Sequence, residues 1–103
     1  MNEPGEGSES GNTEPKLYAV VLAPGARRAL SDALPVTAAL AAWEFIMGPL
    51  RREPRRVGAP LRKPFEGLWR ARRGEYRVRY RIDERRRTLY IVDVDHRRDA
   101  YRS

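Results

Sequence analysis

A chain of 103 residues has room for one small domain, and 41% apolar against 34% charged side chains describe a compact core under a heavily charged surface. It has no cysteine, which excludes disulfides, thiolate zinc sites and cysteine nucleophiles. There is no apolar run near the ~18 residues of a membrane span, and the acidic, polar start is unlike a secretory leader, so a cytoplasmic protein with no membrane partner is expected.

Residues 1–16 hold Glu3, Glu6, Glu9 and Glu14 among Gly, Ser and Pro. Such a segment buries too little to offset the entropy of ordering, and it is expected to be a disordered acidic tail. The domain is expected over residues 17–103, which carry 20 basic and 10 acidic side chains. Nineteen of the 21 basic residues are arginine. An arginine-rich coding bias accounts for Arg over Lys but not for the surplus, and a surplus of this size implies a polyanionic partner, nucleic acid first.

"KLYAVVLAP" opens the domain as a strand. Leu17, Ala19 and Val21 alternate with Tyr18, Val20 and Leu22, apolar on both faces, so the strand is expected to be covered on both sides. Pro24-Gly25 starts a short helix with the stripe Ala26, Ala29, Leu30, Ala33 and Leu34. Pro35 opens a second helix in which Val36, Leu40, Trp43 and Met47 share one face, expected to be core, and Gly48-Pro49 ends it. "PLRREPRRVGAPLRKPFEG", with four prolines, is expected to be an irregular basic loop. Three strands follow: "GLWRARR", "YRVRYRID" and "TLYIVDVDH", joined by turns at Gly74-Glu75 and "DERRR". The expected fold is α+β, in the order β-α-α-β-β-β, with the helix hairpin packed on a small, mainly antiparallel sheet.

If Trp69, Ala71, Tyr76, Val78, Tyr80 and Ile82 face the helices, then Arg70, Arg72, Arg77 and Arg79 share the opposite face. Neighbouring strands lie about 5 Å apart and same-face residues about 7 Å apart, a grid that matches phosphates along a single nucleic-acid strand. An ordinary solvated strand face, relieved by Asp93 and Asp95 across the ladder, gives the same pattern. The last strand leads to His96, the single histidine, then to Arg97 and Tyr101, expected beside the arginine face or at its rim. RNA cleavage by internal transfer needs a base for the 2′-OH, a cation for the phosphorane and an acid for the leaving oxygen. Arginines supply the cation. Histidine titrates near neutrality and supplies either other role, and so does a tyrosine whose pKa surrounding cations lower.

"VGAPLRKPFEGLWRARRGEYRVRYRID" and the ending "VDVDHRRDAYR" resemble the RelE branch of the RelE/ParE toxin superfamily, over about residues 17–102. The resemblance implies a toxin of a type II toxin–antitoxin system that enters the ribosomal A site and cuts mRNA there, and a cognate antitoxin that blocks it; charge and shape lead one to expect an acidic or amphipathic helix laid over the basic face or against the sheet. It implies phosphate contacts at Arg70 and Arg72, where the best-known member has lysines, one of them a proposed base; arginine cannot take that role. It implies phosphorane stabilisation by Arg77, a C-terminal basic residue and tyrosine at Arg97 and Tyr101, and a base or acid at His96. No cofactor is expected, and one histidine without a carboxylate cluster makes a poor metal site, so no metal is expected. Two alternatives stay open: the ParE branch, which poisons DNA gyrase and cuts no RNA, and a non-catalytic nucleic-acid binder that uses the same face.

Overall fold

In a computed structural model the described residues are 17–96. The acidic tail expected over residues 1–16 lies outside them, as do Arg97 and Tyr101. One sheet holds five strands in the order β1-β5-β4-β3-β2: β1 (Ala19–Leu22), β2 (Ala59–Pro60), β3 (Trp69–Arg73), β4 (Tyr76–Asp83) and β5 (Thr88–His96). β1 runs parallel to β5, and every other neighbouring pair is antiparallel. Three helices, α1 (Pro24–Arg28), α2 (Val36–Phe45) and α3 (Pro54–Val57), complete an α+β architecture in which the helices pack on one face of a mixed sheet.

Turn chemistry fixes the register of the meander. Arg73 pairs with Tyr76, which leaves a two-residue turn at Gly74-Glu75. Gly74 has φ +61° and is followed by a residue of ordinary backbone, the pattern of a type II′ hairpin. Between β4 and β5 the Asp83 carboxylate accepts from the Arg86 N–H at 3.1 Å, tying down a four-residue connection.

The core lies between the sheet and the helices. Tyr80, Ile46, Leu50, Leu89, Ile91 and Val78 are its largest fully buried side chains. The two core tyrosines keep partners for their hydroxyls: Tyr80 donates to the Pro54 carbonyl at 2.6 Å and Tyr76 to the Ala41 carbonyl at 2.9 Å. Burial favours the neutral phenol and pushes the pKa of both up; at Tyr76 the Arg73 charge works against this and the Glu44 charge with it, both to a smaller extent. Gly58 lets the chain cross this point. A Cβ there would run into the Tyr80 hydroxyl and come within 3.0 Å of the Arg70 carbonyl oxygen.

Four expectations are corrected. β1 is an edge strand with an uncovered outer face, and Val21 is 46% exposed on it. The stripe assigned to the core in the second helix points outward: Val36 is 75%, Leu40 57% and Trp43 40% exposed. α2 buries Ala42 and Phe45 instead, and Ile46, directly after it, is buried with them. The helix also runs past Gly48-Pro49, through a widened turn over Ile46–Leu50 in which the Arg51 N–H reaches back to the Ile46 carbonyl. That i→i+5 bond adds a residue to the turn, so the 3.6-residue spacing drawn through Met47 does not hold. Finally, the basic loop contains α3 and the two-residue β2, which pairs with β3 through Ala59 and Arg70.

Candidate nucleic-acid interface

The outer face of the sheet carries the arginines. Register places Arg70 opposite Arg79 and Arg72 opposite Arg77. Directly opposed Cβ atoms lie about 5 Å apart, and like charges there are destabilising, on the order of 0.2–1 kcal/mol per pair. Two such pairs side by side are costly for the fold unless carboxylates or an anion offset them. Arg81 extends the row along β4, opposite Tyr90 of β5.

The face is only partly neutralised from within. Asp93 accepts from Arg79 twice, Nε to Oδ1 at 3.0 Å and Nη2 to Oδ2 at 2.5 Å, and Asp95 Oδ2 lies 3.8 Å from the same Nη2. The Asp93 hydrogen bond, with the charges of both aspartates, raises the Arg79 pKa further against the opposing effect of burial. Among the described residues, Arg70, Arg72 and Arg77 make no side-chain hydrogen bond or ion pair with one another or with any other described residue. Arg79 is thus the structural member of the grid, and the other three keep their donors.

The position of His96 follows from a bulge. Opposite Arg79 and Tyr80, β5 supplies Asp93 and Ile91, and Val92 is the extra residue between them. Past that point the alternation of β5 is reversed: Asp93 and Asp95 face the arginines, while Val94 and His96 face the helices. His96 pairs with Tyr76, its side chain is 12% exposed, and Nε2 lies 3.7 Å from Glu75 Oε1. It therefore stands at the rim of the sheet on the helix side, not on the arginine face. Along the strands it is close to that face, since Arg72, Arg77 and Tyr76 all lie within two register steps of the Gly74-Glu75 turn. Arg97 and Tyr101 follow His96 in sequence but are outside the described residues. Among the described residues no group of three or more His, Asp or Glu side chains is placed to hold a metal, and no helix is long and apolar enough to cross a membrane.

Phe65 was missed by sequence reasoning. It belongs to the loop joining β2 to β3, stands 50% exposed, and borders the arginines with Leu61. Its signal was a lone aromatic in a basic, proline-rich loop, which says nothing of which face the loop covers.

Comparison with known proteins gives a consistent result. Residues 19–101 match the family model described as the ParE toxin of type II toxin–antitoxin systems. Two toxins of Mycobacterium tuberculosis are similar: Toxin RelG, 49% identical over 85 residues covering 82% of this chain and 97% of that protein, and Toxin RelE, 44% identical over 85 residues covering 82% of this chain and 87% of that protein. The toxin–antitoxin complex RelBE2 of the same organism contains a chain that superposes with a TM-score of 0.76 at 48% identity, covering 80% of this chain and 100% of that one. A chain of the archaeal RelE–RelB complex from Pyrococcus horikoshii OT3 shares the fold at 24% identity, with a TM-score of 0.53, covering 80% of this chain and 97% of that one.

Proposed function

The chain belongs to the ParE toxin family of type II toxin–antitoxin systems, within the RelE/ParE superfamily, and from that premise we propose that it is an mRNA endoribonuclease acting in the ribosomal A site. The observation that carries this reading is the pair of facing arginine pairs on an open sheet face, three of whose four guanidiniums are left unneutralised by described residues. Solvated surfaces avoid such juxtapositions, whereas a phosphate backbone is bound by them.

In this mechanism Arg70, Arg72 and Arg77 hold the phosphates around the cut. Arg77, in the register pair next to the hairpin end of the sheet, faces the scissile one together with Arg97. The 2′-oxygen loses its proton, attacks the adjacent phosphorus and forms the cyclic phosphate, and the departing 5′-oxygen takes up a proton. His96 and Tyr101 share these two transfers, with Tyr101 alternatively stacking on and orienting a base. His96 serves from the rim, so the RNA has to turn around the Gly74-Glu75 end of the sheet to bring its scissile phosphate to the imidazole. The protein antitoxin of the system is its partner, and the toxin acts in the compartment where mRNA is translated.

Mapping mRNA 5′ ends after brief induction tests this. New ends inside translated codons are expected for the wild type, with a loss of at least tenfold for His96→Ala, Arg77→Ala and Tyr101→Phe in soluble, folded protein. Undiminished cleavage in all three would sink the assignment. A second reading, gyrase poisoning, draws on the ParE name of the matched family; it is distinguished by a DNA-damage response with no new mRNA ends.

A further inference from the structure

The loop between β2 and β3 is folded flush against the arginine face. Three backbone hydrogen bonds fix it: Leu61 N–H to the Leu68 carbonyl at 2.8 Å, Phe65 N–H to the Arg62 carbonyl at 2.9 Å, and Leu68 N–H to the Phe65 carbonyl at 3.0 Å. Phe65 is thus held on both sides of its peptide unit while its ring remains half exposed. Gly67, with φ +88°, passes so close to the sheet that a Cβ there would lie 2.7 Å from an Arg81 guanidinium nitrogen. Between this loop and the sheet is a cavity of about 180 Å³, lined by Leu61, Phe65, Arg70, Arg77, Arg79 and Asp95.

We propose that this cavity seats one unpaired nucleobase, with Phe65 and the neighbouring guanidiniums stacking on it and Asp95 selecting bases that carry an amino group. The proposal rests on the reading of the arginine face as an RNA surface. A half-exposed phenyl ring adds little to the core, but lining one cavity with Arg70 and Arg77 it offers an aromatic face to a base, and stacking on such a face stabilises a bound base by about 1–3 kcal/mol. The arginines hold the flanking phosphates, so base and backbone are engaged from one patch. Asp95 supplies the discrimination. It lines the cavity, is 46% exposed at its side chain, and its ion pair with Arg79 is long, 3.8 Å, so the carboxylate keeps acceptor capacity for a ligand. A carboxylate only accepts hydrogen bonds. It therefore accepts from the exocyclic amino group of cytosine, adenine or guanine, while uracil, which has no amino group, sets a carbonyl oxygen against it at the position where cytosine has its amine.

Oligocytidylate and oligouridylate hexamers test this difference, because the two rings have the same size and differ only at the 4-substituent and at the N3 proton beside it. Fluorescence anisotropy with 5′-labelled hexamers at low salt compares the whole chain with its variants. The wild type is expected to bind the cytidine hexamer at least fivefold more tightly than the uridine one. Phe65→Ala should weaken both by about tenfold, and Phe65→Trp, which keeps an aromatic face, should retain binding. Asp95→Asn should bring the two hexamers to within twofold of each other, since an amide both donates and accepts. Arg72→Ala, outside the cavity, should weaken both hexamers equally. If Phe65→Ala binds like the wild type, or Asp95→Asn keeps the full preference, the seat is wrong although the face binds RNA. If the wild type binds neither hexamer, the RNA reading of the face fails and takes the seat with it.

Discussion

Opposite Arg79 and Tyr80, β5 carries one residue too many, and that residue, Val92, decides which side chains meet. Strict alternation from the buried Leu89 and Ile91 would send Asp93 and Asp95 into the core and His96 out to the arginines. The bulge reverses this, so Arg79 finds its carboxylates and the imidazole goes to the helix side. Arg70, Arg72, Arg77 and Arg79 were legible as one face because the apolar Trp69, Ala71, Tyr76, Val78 and Tyr80 alternate with them. The bulge was not legible, since "IVDVDH" carries no glycine or proline to mark it. Tyr80 is the residue at which a stability test is sharpest. Its hydroxyl is the buried partner of the Pro54 carbonyl, and Tyr80→Phe should cost about 1–3 kcal/mol in denaturant unfolding. Burial raises the pKa of Tyr80 and of Tyr76, so the folded chain keeps protons that the unfolded chain releases. Stability from these groups is complete below the ordinary tyrosine value of about 10 and is lost as pH rises above it. Tyr80→Phe should therefore flatten the alkaline decline; an unchanged slope between about pH 9 and 11 would refute that attribution.

At the scale of elements, β3 and β4 are where polar–apolar alternation and turn residues placed them, because each buries a single face and the two signals agree; β5 was legible from its apolar run and the turn before it. α2 is the counter-case. Its sequence "VTAALAAWEFIMG" is apolar around most of its circumference, so periodicity alone does not choose a side. The sheet accepts the small side of α2, with Ala42 fully buried and Phe45 and Ile46 beyond it, and the larger Val36, Leu40 and Trp43 are left outside. Ile46→Ala should accordingly destabilise by about 2–5 kcal/mol, while Leu40→Ser should stay within about 0.5 kcal/mol of wild type. Equal losses in urea unfolding would return Leu40 to the core. The short α3 and β2 were hidden for another reason: four and two residues are below the length at which any period shows, and tertiary contacts hold them, among them the Tyr80 hydroxyl and the edge of β3.

For the whole molecule, charge is the property that the sequence states most plainly. The surplus in residues 17–103 predicts polyanion binding that weakens with salt. If Arg70, Arg72 and Arg77 each displace one counterion from single-stranded RNA, log affinity should fall against log salt with a slope of about −2; a slope near zero would remove the electrostatic basis of the proposed function. Composition and alternation by themselves determined the α+β class and the arginine face, and two particular stretches of sequence carried the likeness to RelE-type toxins, because these depend on local residue order and on total charge. Only the tertiary structure decided that Arg79 is answered by Asp93, that His96 turns away from the other arginines, and that Phe65 borders them. Each of these depends on a bulge, a register or a loop closure, and those are set by long-range pairing that no short window of sequence contains.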